Sequence, residues 1–273
     1  MYKRVFAAYF SGTGTTEKTV KAIAQKIADD LCLKYEEWNF TPLFARKEPK
    51  RFEANDIVIF GTPVIAGRVP NLLLKYLDTL EGNGALAVPI VMFGNRNFDD
   101  ALIELRDILE KAGMRTIAAA ACVGEHSFSK VLGKGRPDND DIKQIVNFAT
   151  KVAEKIKTGD YNTPAKVDGV AFPYRGYYKP MDRQSNPIDI RKVKPKTSDK
   201  CDNCKLCAQI CPLGSIDFED VSKITGVCMK CCACVKKCPK GAKYFDDEGY
   251  LYHKHELEEM YSRRADNKFF LED

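Results

Sequence analysis

The chain has 273 residues, a hydrophobic fraction of 44% and a formal net charge of +5. This length leaves room for two domains, and the composition is ordinary for a soluble globular protein. No run approaches the roughly 18 uninterrupted apolar residues of a membrane span. The opening MYKRVFAAYF continues into a strand pattern, so we expect no signal peptide.

The first 160 residues contain short apolar runs that alternate with helical patterns. The candidates for buried strands are RVFAAYF for strand one, DIVIFGTP for strand three, VPIVMFG for strand four and TIAAAACVG for strand five. Apolar spacing predicts helices from Glu17 to Leu31, around Leu72–Leu80, from about Asp99 to Ala112 and over DIKQIVNFATKVAEKI. Five strands with helical crossovers predict an α/β fold with a doubly wound, five-stranded parallel sheet. Ligands of such sheets bind where the strands end, so the loops after strands one, three and four are the candidate site.

The loop after the first strand reads SGTGTTEKT and nearly matches two nucleotide-binding motifs. Both the dinucleotide fingerprint and the Walker A loop would need a glycine where Glu17 stands. The loop instead carries hydroxyl groups, on Ser11, Thr13, Thr15 and Thr16. At a helix N-terminus, such hydroxyl and backbone N–H donors predict a phosphate-binding loop. The alternative is a helix cap without a ligand.

Eight of the eleven cysteines form two copies of the motif C-x2-C-x2-C-x3-C-P near the C-terminus. The first copy is Cys201, Cys204, Cys207, Cys211 and Pro212, and the second is Cys228, Cys231, Cys234, Cys238 and Pro239. The copies are offset by 27 residues, which indicates an internal duplication. In bacterial ferredoxins this run binds two [4Fe–4S] clusters, and the fourth cysteine of each copy ligates the other cluster.

The motif therefore predicts two crossed ligand sets. One set is Cys201, Cys204, Cys207 and Cys238, and the other is Cys228, Cys231, Cys234 and Cys211. Zinc ribbons are the alternative, but four ligands per zinc explain neither the third cysteine nor the proline of each motif. Thiolate-ligated iron needs a reducing environment, so we expect a cytoplasmic protein. Bound clusters and a bound phosphate would offset the positive charge, so we expect no nucleic-acid partner.

The first 160 residues resemble flavodoxins in the loops SGTGTT, GTPVIAGRVP and FGNRNFDDAL. The resemblance implies an FMN whose phosphate is held by Ser11, Gly12, Thr13, Gly14, Thr15 and Thr16. It implies that the isoalloxazine is flanked by Thr62, Pro63, Val64, Ile65, Ala66 and Gly67, and by Gly94, Asn95, Arg96, Asn97 and Phe98. Flavodoxins commonly stack an aromatic ring on the flavin, whereas this chain has Val64 and Ile65 in that region.

Nearly the whole chain is similar to the flavodoxin–ferredoxin fusion proteins of anaerobic bacteria. We predict a flavodoxin-like FMN-binding domain over 1–160, a basic aromatic-rich linker over 161–195, a small α+β bacterial-ferredoxin domain over 196–250 and a tail over 251–273. Disordered linkers lack rings to bury, so Tyr174, Tyr177 and Tyr178 are expected to pack between the domains.

These features predict a low-potential electron carrier in which FMN and two [4Fe–4S] clusters exchange electrons. Its partners would be redox proteins or a small-molecule electron acceptor. The alternative is a flavin-dependent reductase of a small substrate, fed by its own ferredoxin domain. A carrier needs no catalytic residue, so we interpret Cys122, which precedes His126 by four residues, as structural or at the cofactor edge. We expect His253 and His255 to lie in a solvated tail.

Overall fold

The computed structural model describes residues 2–159 and 164–271. The strands are β1 (Arg4–Tyr9), β2 (Lys34–Asn39), β3 (Asp56–Pro63), β4 (Leu86–Phe93), β5 (Arg115–Thr116), β6 (Ala119–Val123), β7 (Lys196–Thr197), β8 (Lys243–Tyr244) and β9 (Lys268–Phe270). The helices are α1 (Thr15–Leu31), α2 (Asn71–Leu77), α3 (Ala101–Lys111), α4 (Asn139–Thr158), α5 (Leu206–Gln209), α6 (Ala233–Lys236) and α7 (Glu248–Met260), and a 3-10 helix spans Leu43–Arg46. Over the two described ranges, none of the helices has the length and apolar character needed to cross a membrane.

The main sheet orders its parallel strands β2-β1-β3-β4-β6, which is the flavodoxin-like order of doubly wound folds. The predicted α/β class and parallel arrangement are confirmed, but the described residues form a sheet of seven strands rather than five. The run TIAAAACVG is divided between β5 and β6, and both pair with β4. β9, from the C-terminal segment, adds an antiparallel strand beside β6.

Two helical layers cover the two faces of this sheet. Successive side chains of a strand point to opposite faces. One apolar cluster joins α1 and α4 to Val5, Ala7 and Tyr9 of β1, and the other joins α2 and α3 to Phe6 and Ala8. Because both faces are covered, β4 is buried along its whole length, which explains its continuous apolar sequence.

The cysteine-rich segment repeats one backbone conformation. One short helix lies in each motif, and β7 pairs with β8 in an antiparallel arrangement. Left-handed backbone recurs at equivalent positions of the two copies, at Lys205 (φ 64°) and Cys232 (φ 57°) and at Gly214 (φ 61°) and Gly241 (φ 59°). The duplication in the sequence is therefore also a duplication in structure. The identification of this segment as a ferredoxin domain stays a prediction.

The C-terminal segment returns to the main sheet. In β9, the ring of Phe269 packs on Phe148 of α4, with 5.0 Å between centroids, and so anchors the segment to the sheet. The expectation for His253 is wrong: it is only 7% exposed, because α7 packs its imidazole against the ring of Tyr178. His255, two residues on, is exposed as expected.

Candidate cofactor sites

Four loops meet at the C-terminal edge of the parallel strands, after β1, β3, β4 and β6. An ideal Cβ on Gly94 would lie 2.3 Å from Cδ2 of His126, so the loops after β4 and β6 touch. An ideal Cβ on Gly124 would lie 3.1 Å from Cβ of Thr15, which joins the loop after β6 to the start of α1. The structure thus places the predicted phosphate loop and one predicted ring-facing loop on either side of the loop after β6.

The loop after β1 contains two kinds of hydroxyl group. The buried Oγ of Ser11 accepts the backbone N–H groups of Gly14 at 3.2 Å and Glu17 at 3.1 Å, so Ser11 holds the start of α1. Thr13 and Thr15 are partly exposed at the same helix N-terminus, where the helix dipole is positive. Thr13 and Thr15 are therefore the hydroxyl-bearing residues best placed to meet a phosphate.

The loop after β3 reverses the chain tightly. Ile65 and Arg68 form an antiparallel bridge across Ala66 (φ 52°) and Gly67 (φ 78°), and positive φ at both central residues is typical of a type I′ turn. The Gly67 carbonyl accepts the N–H of Asp100 at 3.1 Å. The loops after β3 and β4, predicted to flank the flavin ring, are therefore connected to each other.

Two of the residues predicted to flank the flavin have side chains buried in the protein. Phe98 packs on Phe93 in the core, with 5.6 Å between ring centroids. Asn95 is 2% exposed, and its amide donates to the carbonyl oxygens of Tyr261 at 2.7 Å and Arg263 at 2.6 Å. Sequence reasoning did not anticipate this role of Asn95, which attaches the loop after β4 to the C-terminal segment.

Both arginines beside these loops are held by carboxylates. Arg68 donates two hydrogen bonds to Glu104, at 2.8 and 2.6 Å, and these bonds raise the pKa of the guanidinium. Arg96 pairs with Asp99 and lies over the ring of Tyr178, with 4.5 Å from its guanidinium carbon to the ring centroid. Arg68 and Arg96 therefore brace the loops that carry them.

The three linker tyrosines differ in their contacts. The hydroxyl of Tyr174 donates to Asp107 at 2.7 Å, and that of Tyr177 donates to the carbonyl of Val69 at 2.9 Å. Both therefore pack on the sheet domain, which is the main sheet together with the helices on its two faces. Tyr178 donates its backbone N–H to the carbonyl of Ala66, in the loop after β3, at 2.8 Å. Its ring stacks on the imidazole of His253 in α7, with 6.0 Å between ring centroids. Of the three, Tyr178 therefore connects the sheet domain to the segment that follows the cysteine motifs.

Two cavities lie in the cysteine-rich segment. The first cavity is lined by Cys201, Cys204, Cys207 and Cys238, together with neighbouring residues. The second cavity is lined by Cys211, Cys228, Cys231 and Cys234, together with neighbouring residues. These are the two sets that the motif spacing predicts. In the part of the chain that the structure describes, no three or more His, Cys, Asp or Glu side chains form a group that could hold a metal ion. The role of these cysteines as ligands therefore stays a prediction.

Backbone donors point at the fourth cysteine of each motif. Cys211 Sγ accepts the N–H of Ser215 at 3.3 Å, and Cys238 Sγ accepts the N–H of Ala242 at 3.3 Å. Burial by itself would raise the pKa of Cys238, but backbone N–H donors outweigh it and lower that pKa. At Cys238 these donors favour the thiolate form, which is the form that binds metals.

A buried cation lines the first cavity. Lys243 is 3% exposed, and its ammonium donates to the hydroxyl of Thr197 at 2.7 Å and to the carbonyl of Val221. Both acceptors are neutral, and no carboxylate of the described residues pairs with Lys243. Lys230 in the wall of the second cavity likewise donates to two backbone carbonyls, at 2.9 and 3.0 Å. Because a buried charge ordinarily has a counter-ion, the buried Lys243 fits an anionic group in the first cavity.

Of the three cysteines outside the two sets, Cys122 and Cys232 are buried and Cys32 is exposed. Cys122 is fully buried, and burial raises the pKa of its thiol, which agrees with a structural role. Cys232 occupies the turn position that Lys205 holds in the first copy, and its Sγ lies 3.7 Å from the hydroxyl of Tyr250. Burial lowers the pKa of His126 to about 4, so its imidazole is neutral at pH 7.

No protein-family model and no curated protein matches the chain. Among solved structures it is similar to a flavodoxin from the domain Archaea, at 16% identity and a TM-score of 0.40, with 57% of this chain and 99% of that chain covered. It is also similar to a flavodoxin of Streptococcus pneumoniae TIGR4, at 20% identity and a TM-score of 0.39, with 57% and 99% covered. Similarity at this level identifies neither a cofactor nor an activity. The flavodoxin-like fold follows from the strand order of the chain itself.

Proposed function

We propose that this protein is a cytoplasmic electron carrier in which FMN exchanges electrons with two [4Fe–4S] clusters. A flavin supplies two-electron chemistry and each cluster one-electron chemistry, so their combination links the two. The observation that carries the proposal is the lining of the two cavities. Each contains three cysteines of one motif and the fourth cysteine of the other, as crossed ligation requires.

The cavity walls support clusters as occupants. Cys201, Cys204, Cys207 and Cys238 would hold one cluster, and Cys228, Cys231, Cys234 and Cys211 would hold the other. A cubane offers a separate iron to each thiolate, so its four ligands are spread around the walls of a cavity. Zinc, by contrast, holds its four ligands around a single ion. The buried ammonium of Lys243 offers a counter-charge to an anionic cluster.

The edge of the main sheet supports FMN. Thr13, Thr15 and the N-terminus of α1 would hold the phosphate, and the loops after β3 and β4 would flank the ring. Thr62, at the end of β3, has a buried hydroxyl without a hydrogen-bond partner among the described residues, which offers a further polar contact. Glu17 stands where FAD- or triphosphate-binding motifs need glycine, which favours FMN.

The same edge favours a carrier over a reductase. A reductase needs open space above the flavin for its substrate. Tyr178 and His253 instead stack beside the loop after β3, where they limit access to that loop. An electron carrier tolerates this packing because electrons, unlike a substrate, need no open pocket.

An anaerobic reductive titration of the loaded protein, followed by visible absorption, tests this proposal. We expect uptake of about four electrons per chain, two by the flavin and one by each cluster. A Cys204→Ala/Cys234→Ala double variant is the control and is expected to take up about two. Uptake of only about two electrons by the native chain would contradict the proposal, and flavin turnover that requires a small substrate would favour the reductase.

A further inference from the structure

We infer that the cluster of the second cavity exchanges electrons with the flavin, whereas the cluster of the first cavity serves external partners. This inference rests on the proposed function and deepens it, because it orders the two clusters along the electron route. Electron tunnelling falls steeply with distance. The cavity that adjoins the flavin site therefore determines the internal route.

Cys231, in the wall of the second cavity, lies against Gly12 of the predicted phosphate loop. An ideal Cβ on Gly12 would be 3.0 Å from Cβ and 3.4 Å from Sγ of Cys231. At 3.0 Å even the Cβ of alanine would force a shift, so glycine permits this close approach of the two segments. The second cavity and the candidate flavin site thus share a boundary.

The internal duplication provides a comparison between the two copies. In the second copy, Met229 packs against the apolar core of the sheet domain, and the ammonium of Lys236 bonds to the loop after β6. The equivalent residues of the first copy, 27 positions earlier, are Asp202 and Gln209, and both are exposed. Cys204, the equivalent of Cys231, is exposed as well. The two copies thus differ at the positions where the second one contacts the sheet domain.

A further contact with the sheet domain also belongs to the second cavity. Pro212 lines that cavity, and its carbonyl accepts a hydrogen bond from Arg46 of the 3-10 helix. In the first cavity, by contrast, Cys204 and Lys240 are exposed. The lining of the second cavity includes the exposed Val227, but the first cavity is exposed at a cysteine, so an external partner can approach a predicted ligand there.

A series of ring contacts leads from the second cavity to the loop after β4. Phe245 lines the cavity and stacks on Tyr250, with 4.3 Å between centroids. Tyr250 is 4.7 Å from Phe128, and Phe128 is 5.2 Å from His126. His126 in turn contacts Gly94, in one of the loops predicted to flank the flavin ring. The second cavity thus connects to the candidate ring site as well as to the phosphate loop.

Two single variants test the order of the clusters. Cys204→Ala removes a first-cavity cysteine and Cys234→Ala removes a second-cavity cysteine, and each is expected to retain FMN and about four irons. After rapid anaerobic reduction, exchange between flavin and the remaining cluster should stay fast in Cys204→Ala and be lost in Cys234→Ala. The fluorescence lifetime of bound FMN should lengthen only in Cys234→Ala. The opposite pattern, or equal effects, would overturn the inference.

A second pair of variants keeps all eight cysteines. Lys236→Met removes the contact with the loop after β6, and Lys237→Met is the matched control because Lys237 is exposed. We expect flavin-to-cluster transfer to be several-fold slower in Lys236→Met and unchanged in Lys237→Met. Equal rates in the two variants would contradict the inference. Iron and FMN are quantified first on the native chain, since their absence would refute the proposed function itself and the inference with it.

Discussion

Arg175, in the segment predicted to be a linker, holds Asp100, the buried residue that precedes α3. Its backbone N–H and its Nε each donate to the Asp100 carboxylate at 2.9 Å, and the carboxylate also accepts the N–H of Val170 at 2.9 Å. The pKa of Asp100 is lowered to about 2, chiefly by the side-chain hydrogen bond from Arg175. The linker is therefore fixed to the loop after β4 by one buried carboxylate.

This contact predicts a specific pH dependence of stability. Because the folded-state pKa of Asp100 is depressed to about 2, its contribution is complete above the ordinary aspartate pKa and is lost as pH falls from about 4 to about 2. Asp100→Asn should lower the free energy of unfolding by about 2 kcal/mol at pH 7. Urea unfolding at pH 7 and pH 3 measures the effect, with the exposed Asp168→Asn as control. A difference between native and Asp100→Asn that is the same at both pH values would contradict this account.

Crossed ligation makes a separate prediction for the fourth cysteine of each motif. Cys211→Ala should damage the cluster of the second motif, and Cys238→Ala should damage the cluster of the first, because each lines the opposite cavity. Electron paramagnetic resonance of the reduced clusters in each variant, compared with Cys204→Ala and Cys234→Ala, identifies the cluster lost. If Cys211→Ala instead matched Cys204→Ala, the ligands would not be crossed.

The phosphate loop predicts which hydroxyl groups bind the cofactor. Thr13→Val/Thr15→Val should weaken FMN binding and leave the iron content unchanged, because both residues lie partly exposed at the N-terminus of α1. The FMN dissociation constant, measured by fluorescence, should rise by about a hundredfold or more, as expected for the loss of two hydrogen bonds to a charged group. Thr79→Val/Thr158→Val is a matched control at exposed threonines. An unchanged dissociation constant would place the phosphate elsewhere.

The buried ammonium of Lys243 should raise the reduction potential of the first cluster. Reduction makes a cluster more negative, and a nearby positive charge favours the reduced form. Lys243→Met should therefore lower the reduction potential of the first cluster, whose cavity it lines, by more than that of the second. A redox titration followed by paramagnetic resonance measures both, with the exposed Lys196→Met as control. A larger shift of the second cluster would contradict the placement of Lys243.

Local sequence patterns predicted much of the fold and missed parts that depend on distant contacts. The buried runs of β3 and β4 and the apolar face of α1 are visible because both sides of the sheet are covered. β2 has no apolar run, since an edge strand keeps charged side chains in solvent. The three-residue β9 has no periodicity at all, and it exists because β6 offers an unpaired edge.

In the candidate sites, too, local sequence patterns predicted some features and missed those that depend on distant contacts. The bacterial ferredoxin motif predicted two ligand sets, and the same cysteines line the two cavities, while their role as ligands stays a prediction. Lys243 was missed, and Asn95 was predicted to flank the flavin rather than to bind the C-terminal segment, since both acquire their partners through folding. One usable signal was present: comparison of the two copies places Lys236 opposite Gln209 and Met229 opposite Asp202, which marks the copy that contacts another domain.

The most direct test of the central claim is the cofactor content of the native protein. Iron, acid-labile sulfide, zinc and flavin are quantified on one sample purified without oxygen. We predict about eight irons and eight sulfides per chain, together with one FMN and no stoichiometric zinc. Zinc in place of iron, a single cluster, or a chain that binds no FMN would contradict it.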